Sequence, residues 1–311
     1  LKMTKQKVFI VGGGGMVGAS AAYAMALQKT TEEIVLIDVN EDLAWGQAAD
    51  ISDSLGLSGG VTVRTGSYNE INTDDIVVIT AGANQKPGQT RLELLSINAK
   101  IIRGIMREIT KDGKKPYVVM VSNPVDVLAY IAVKEFGLAR EKVFGTGTTL
   151  DTSRLHQIIS EKLNINGKDI EAFVLGEHGD SSFSTIKRAK VGGVYLRDLL
   201  GYREEDYSDI ENEVRKRAYR VIDTKKSTYF AIGYVISRVV KALLQEQKTV
   251  LPLSAYLYGE FGIYDVCLSV PCLINKDGVS IMTGFNLTDE ERHNLIHSAE
   301  VIKNAINSVN S

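Results

Sequence analysis

The sequence predicts an α/β fold, with a parallel sheet in the first half of the chain and a mixed α+β region in the second. Three observations carry this. Short Val- and Ile-rich runs alternate with amphipathic stretches up to about residue 146. A glycine-rich turn joins the first such run to the first amphipathic stretch. Beyond residue 147 the alternation gives way to longer helical segments and later strands.

The runs Val8–Val11, Ile34–Ile37, Ile76–Thr80, Tyr117–Val121 and Val143–Thr146 have the length and composition of strands buried on both faces. The stretches Met16–Leu27, Asp42–Leu55 and Leu92–Ile109 have helical periodicity. Strand and helix in alternation imply βαβ units and hence a parallel sheet. In the second half, Thr152–Leu163 is predicted to be a helix, Ser208–Leu244 to form long, charge-dotted helical segments, and Val266–Pro271 and Val279–Ile281 to be extended. Asp289–Ser308 is a closing amphipathic helix, with Thr288 as N-cap and Glu291 as its capping-box partner. The boundary falls near residue 147, giving a dinucleotide-binding domain over 1–147 and a second domain over 148–311.

The bulk composition narrows the function classes. The chain has 311 residues, 44% hydrophobic and 24% charged, with a net charge of −2. That is an average globular composition, without the broad basic face that nucleic acid or anionic lipid would require. The two cysteines, Cys267 and Cys272, have no histidine near them that would complete a metal site. They point to a reduced, cytoplasmic setting. No segment reaches the roughly 20 apolar residues of a membrane span, and the amino end lacks the features of a secretory signal.

Gly13, Gly15 and Gly18 satisfy Gly-x-Gly-x-x-Gly between a strand and a helix, the context of a Rossmann-type nucleotide site. Gly12 and Gly14 leave the register of that motif open. The turn lets the backbone approach a pyrophosphate, and the helix N-terminus offers it free N–H groups. Asp38 ends the second strand, 20 residues after Gly18. A carboxylate there accepts hydrogen bonds from ribose hydroxyls and repels a 2′-phosphate, which selects NAD over NADP.

Three further segments hold residues suited to chemistry. Ala83-Asn-Gln-Lys-Pro-Gly-Gln-Thr-Arg91 follows a strand and has the Gly and Pro content of a mobile loop. In Leu150-Asp-Thr-Ser-Arg154, Asp151 and Arg154 share one face of a helix start. In Gly176-Glu-His-Gly-Asp180 a histidine stands between glycines. Singly, each has an ordinary explanation: a solvated arginine, an N-cap with its local ion pair, a loop histidine.

Together these segments, with Val-Ser-Asn-Pro-Val-Asp at 121–126 and Leu-Ser-Val-Pro-Cys at 268–272, resemble the L-lactate/L-malate dehydrogenase family over essentially the whole chain. The resemblance implies an NAD-dependent oxidoreductase with a C-terminal mixed α+β substrate domain. His178 would be the acid/base, Asp151 its orienting partner and Arg154 the clamp on the substrate carboxylate. Arg91 would polarise the reacting carbonyl, and Asn123 would bond the substrate oxygen. Thr228 matches the threonine lining the substrate pocket, although Lys226 stands where the family usually has glycine. Val17, Tyr68, Gly82, Ala83, Val121, Asn123 and Thr146 match cofactor-contacting positions. At Gln85, malate-specific members carry an arginine. A neutral amide there favours pyruvate and L-lactate over dicarboxylates, since a second carboxylate would enter the site unpaired. A malate dehydrogenase or a broader L-2-hydroxy-acid dehydrogenase is the alternative. The presence of His178, Asp151, Arg154 and Arg91 together argues against a dinucleotide-binding protein without turnover.

The resemblance also implies a homo-oligomer, tetramer or dimer, acting in glycolysis and fermentation. The short amino end matches bacterial members better than animal ones. Many bacterial members bind fructose 1,6-bisphosphate between subunits through an arginine two residues after the substrate arginine and a histidine seven before the catalytic one. Here those positions are His156 and Glu171. Strong activation by that phosphosugar is therefore not expected.

Overall fold

The computed structural model describes residues 6–83, 88, 90–199 and 204–310. The first half builds β1 (Val8–Val11), α1 (Met16–Leu27), β2 (Glu33–Ile37), α2 (Glu41–Leu55), β3 (Thr62–Thr65), β4 (Ile76–Ile79), α3 (Arg91–Ile109), β5 (Tyr117–Met120), α4 (Val125–Glu135) and β6 (Val143–Gly145). All six strands are parallel, in the order β3-β2-β1-β4-β5-β6. The residues of β1, β4 and β5 are buried throughout, as strands covered by helices on both faces must be. The order reverses between β1 and β4, so the crevice at their carboxyl ends is the place such a sheet offers a ligand.

The second half begins with α5 (Thr149–Leu163) and continues through five two-residue strands: β7 (Ile170–Glu171), β8 (Val174–Leu175), β9 (Phe183–Ser184), β10 (Lys190–Val191) and β11 (Val194–Tyr195). Then come α6 (Glu204–Lys225), α7 (Phe230–Leu244), β12 (Thr249–Tyr258), β13 (Tyr264–Asn275), β14 (Gly278–Ile281) and α8 (Asp289–Asn310). Strands β12, β13 and β14 extend the large sheet antiparallel beyond β6, joined where Ser254 pairs with Gly145. One nine-stranded sheet thus runs through both halves of the chain.

The helical segments expected over Ser208–Leu244 are two, α6 and α7. They meet at 119°, where Lys226 takes the left-handed conformation at φ 69°. The Lys226 N–H then donates to the Ile222 carbonyl at 2.8 Å, ending α6 as a glycine C-cap would. Strand β3 escaped notice because a half-exposed edge strand of Thr and Arg has no apolar run. Helix α4 and strand β12 were also unanticipated. The closing helix is capped as expected: the Glu291 N–H donates to Thr288 Oγ1 at 3.2 Å, and the Thr288 N–H to the Glu291 carboxylate at 3.0 Å. Among the described residues no single helix is long and apolar enough to cross a membrane.

Candidate active site

The glycine turn fixes the register the sequence left open. A Cβ on Gly18 would lie 2.4 Å from the Gly12 carbonyl oxygen, so close packing of helix on turn requires glycine there. Gly15 is different. A Cβ there would meet protein only at 3.4 Å, and the residue is exposed. Its lack of a side chain suits close approach from outside, as a pyrophosphate at the N-terminus of α1 demands. Asp38 leans toward the same turn: its Oδ2 accepts from the Gly14 N–H and its Oδ1 from the Asn40 N–H, both at 3.0 Å. The residues present therefore fit a dinucleotide.

Around the crevice stand the other positions expected to meet the cofactor. Val17 is half-buried and Thr146 is buried. The Thr146 N–H donates to the Met120 carbonyl, and that of Val121 to the Ile79 carbonyl. Tyr68 packs partly against the core, where burial, with Glu108 and Asp38 nearby, pushes its phenol up to about 12. Gly82 and Ala83 lie beside Asn98, a residue the sequence reading missed. The Asn98 Oδ1 accepts from the Ala83 N–H at 2.7 Å, and its Nδ2 donates to the Asn123 carbonyl at 2.9 Å. One buried amide thus ties the loop after β4 to the turn after β5. The detectable signal was a polar residue on the apolar stripe Leu95, Ala99, Ile102 of α3.

Helix α5 and the turn after β8 build the reactive centre. Asp151 and Arg154 lie in the first turns of α5, and Arg154 Nη1 donates to Asp151 Oδ1 at 2.8 Å. The other carboxylate oxygen, Oδ2, sits 2.7 Å from His178 Nδ1. The His178 turn is held from three sides. Gly176 exchanges two 2.9 Å backbone bonds with Ser269 of β13. The Glu177 carboxylate accepts from the Ser181 hydroxyl at 2.5 Å. The His178 N–H donates to Asp126 Oδ2 at 2.8 Å.

The electrostatics follow from these contacts. Burial works against a charged imidazole at His178, but Asp151 and then Asp126 outweigh it, and the net effect is a raised pKa. Burial would likewise protonate Asp151, yet His178 and Arg154 hold its carboxyl below the ordinary value. Asp126 lies 2% exposed, and burial pushes its carboxyl up to about 6 despite the bonds from Ser254 and His178. The site can therefore hold a proton on a histidine between two carboxylates, next to an arginine.

The remaining candidates lie at the rim or beyond it. Arg91 opens α3 with its side chain 86% exposed, and pairs at 3.5 Å with Asp180, which also accepts from the Tyr219 hydroxyl. Asp180 lies two residues after His178. Thr228 is half-buried in the connection between α6 and α7. Asn123 has an exposed side chain at the start of α4. Gln85 lies outside the described residues. A cavity of about 930 Å³ contains none of these residues. It runs along another face of α5, lined by His156, Glu171, Arg188 and Arg238 among others. No group of three or more metal-ligating side chains occurs among the described residues.

Comparison with known proteins agrees with this geometry. The NAD-binding domain of the lactate/malate dehydrogenases matches residues 6–145, and the α/β C-terminal domain of the same family matches 148–311. L-lactate dehydrogenase 2 of Lactococcus lactis is 41% identical over 316 residues, covering 99% of this chain and all of that protein. An L-lactate dehydrogenase of Clostridium botulinum is 38% identical, over 99% of this chain and 98% of its own. The crystal structure of the minor L-lactate dehydrogenase of Enterococcus mundtii in its ligands-bound form superposes with a TM-score of 0.94 at 40% identity, over 99% of each chain. Its ligands-unbound form gives 0.88, again over 99% of each. Each half of the chain thus matches one domain of the same family, and its full length matches known enzymes, so the chain belongs to the lactate/malate dehydrogenase family.

Proposed function

We propose that this protein is an NAD-dependent L-lactate dehydrogenase, which reduces pyruvate to L-lactate with NADH and runs the reverse oxidation at the same site. The observation that carries the reading is the arrangement of His178, Asp151 and Arg154 at the mouth of a sheet built for a dinucleotide. Residues 1–147 form the NAD-binding unit and 148–311 the unit that holds substrate.

Bound NADH supplies the hydride. His178 supplies the proton: Nδ1 is committed to Asp151, so Nε2 is the nitrogen that protonates the carbonyl oxygen during reduction and takes the proton back during oxidation. Asp151 fixes the tautomer and stabilises the imidazolium. Arg154, already oriented by Asp151, pairs with the substrate carboxylate through its planar guanidinium. Arg91 moves in with its loop to face the oxygen on which negative charge develops. Asn123 bonds that oxygen, and Thr228 and Gln85 line the side-chain end of the pocket. Gly13, Gly15, Val17, Gly18, Asp38, Tyr68, Gly82, Ala83, Val121 and Thr146 hold the cofactor.

The enzyme works in the cytosol as a homo-oligomer, dimer or tetramer. Exposed apolar side chains support the assembly, among them Trp45 on α2 and Phe230 and Tyr234 on α7. His178→Asn tests the acid/base role. Turnover is expected to vanish while NADH titration gives a Kd within about twofold of the parent, because the glycine turn and Asp38 lie elsewhere. Substantial residual turnover would refute the assignment.

A further inference from the structure

The chain has four histidines. His178 belongs to the site described above, and His156 is half-buried, with Nε2 bonded at 2.8 Å to the Ala172 carbonyl. The other two, His293 and His297, stand four residues apart in α8. Both are exposed, and among the described residues neither makes a hydrogen bond or an ion pair. The helix is not free to rotate and hide them. Leu295, Ala299, Ile302 and Ile306 are buried against the core. Ser298, also buried, donates to the Ser181 carbonyl at 2.8 Å. The inner face of α8 is thus fixed, and the two imidazoles are left in solvent.

Their spacing has a chemical consequence. Four residues of α-helix advance about 6 Å along the axis and turn about 40° past a full rotation. The two side chains therefore rise from one face, with Cβ atoms about 5–6 Å apart. This is the spacing at which a helix presents two imidazoles to one metal ion. Each ring nitrogen then meets the ion at about 2.0–2.1 Å, the distance for zinc. The charges nearby favour a cation. Asp289, four residues before His293, and Glu300, three after His297, lie on the same side of the helix. Glu290 is engaged by Lys187 at 2.9 Å, and Arg292 is turned toward the Phe261 carbonyl at 3.4 Å. Among the described residues no third metal-ligating side chain completes a cage, so water fills the remaining coordination positions.

We propose that His293 and His297 form a surface site for a divalent transition cation of the class Ni²⁺, Cu²⁺ or Zn²⁺. Imidazole nitrogens suit these ions, whereas Mg²⁺ and Ca²⁺ take oxygen ligands. Neither histidine has a part in the chemistry assigned above, and the inference does not depend on the dehydrogenase reading. Both ligands belong to one stretch of α8, so the ion binds the folded helix better than the unfolded chain. Binding then staples the turn whose inner face carries Ser298, and stabilises the fold by mass action.

The test uses the untagged chain, titrated with Ni²⁺ by isothermal calorimetry and heated with and without Ni²⁺ in a scanning calorimeter. Mg²⁺ in place of Ni²⁺ serves as the control for binding by carboxylates alone. The parent is compared with His293→Ala, His297→Ala and His178→Asn. Both alanine positions are exposed, so those two variants are expected to keep the parent's fold and its pyruvate turnover in metal-free buffer. The parent and His178→Asn are expected to bind one Ni²⁺ per chain and to gain in Tm. His293→Ala and His297→Ala are each expected to lose affinity by more than about tenfold, since even a partner standing behind a ligand is worth that much, and to lose most of the gain in Tm. Mg²⁺ is expected to do neither. No binding by the parent, unchanged binding in both alanine variants, or an equal gain in Tm with Mg²⁺ would each overturn the proposal. Binding lost only in His178→Asn would place the ion at that histidine instead, and overturn it as well.

Discussion

Replacing Asp151 with asparagine removes a charge and one acceptor, and the structure says what each is worth. Both carboxylate oxygens are in use, Oδ1 by Arg154 at 2.8 Å and Oδ2 by His178 Nδ1 at 2.7 Å. An amide has one acceptor oxygen, so one of the two donors must face an NH₂ group. Leaving a partly buried donor unpaired costs about 1–3 kcal/mol. The charge adds to this. Two unit charges about 4 Å apart attract by about 4 kcal/mol at an effective dielectric of about 20, an upper figure because water reaches both groups. With the His178 and Asp151 side chains 26% and 17% exposed, solvent screens much of this attraction, and its loss lowers the imidazole's pKa. The lost acceptor alone lowers kcat/KM for pyruvate at neutral pH by about tenfold to a hundredfold, and the lower imidazole pKa deepens the fall. The assay is steady-state loss of NADH absorbance across the pH range in which histidine titrates, with NADH affinity measured separately. The alkaline limb of pyruvate reduction is expected to move to lower pH, because a raised histidine pKa is what keeps the proton donor charged as pH rises. A drop of less than about tenfold with the limb unmoved would refute the reasoning, since neither the acceptor nor the charge would then matter.

Three further outcomes are expected. Lys226→Gly relieves a left-handed lysine at the end of α6 and should raise stability by about 1 kcal/mol, a rise of about 1–3 °C in Tm by differential scanning calorimetry; a fall in Tm would show that the lysine is not strained there. Gln85→Arg should raise oxaloacetate reduction and lower pyruvate reduction, and an unchanged ratio of the two kcat/KM values would place specificity elsewhere. Millimolar fructose 1,6-bisphosphate should leave the apparent KM for pyruvate nearly unchanged at neutral pH, because His156 and Glu171 line the 930 Å³ cavity and His156, lowered by burial and bonded at 2.8 Å to the Ala172 carbonyl, brings no charge to offset the glutamate; a large drop in KM would contradict this.

The parts of the site legible in the sequence are those where chemistry demands one residue type at one spacing. Gly18 has no room for a Cβ, Asp38 must close the second strand, and Asp151 and Arg154 must share a helix face. Asn98 and Asp126 were not legible as functional. A buried polar residue shows its purpose only when its partners are known, and those partners lie 25 and 52 residues away. Strand β12 was hidden because Pro252 stands inside it, where a strand interior ordinarily excludes proline. The break at Lys226 was hidden for the opposite reason: helical periodicity continues through it, and no glycine or proline marks the turn. Arg91, expected to swing in with its loop, is an exposed side chain at the first position of α3, paired with Asp180.

The most direct test of the account is a comparison of kcat/KM for pyruvate, oxaloacetate and a branched 2-keto acid, with NADH and then NADPH, followed by chiral analysis of the product. The account predicts that pyruvate with NADH is preferred by at least about tenfold, a margin a single unpaired charge readily supplies, and that the product is L-lactate. A preference for oxaloacetate or a branched acid would contradict the substrate, and a preference for NADPH would contradict the role given to Asp38.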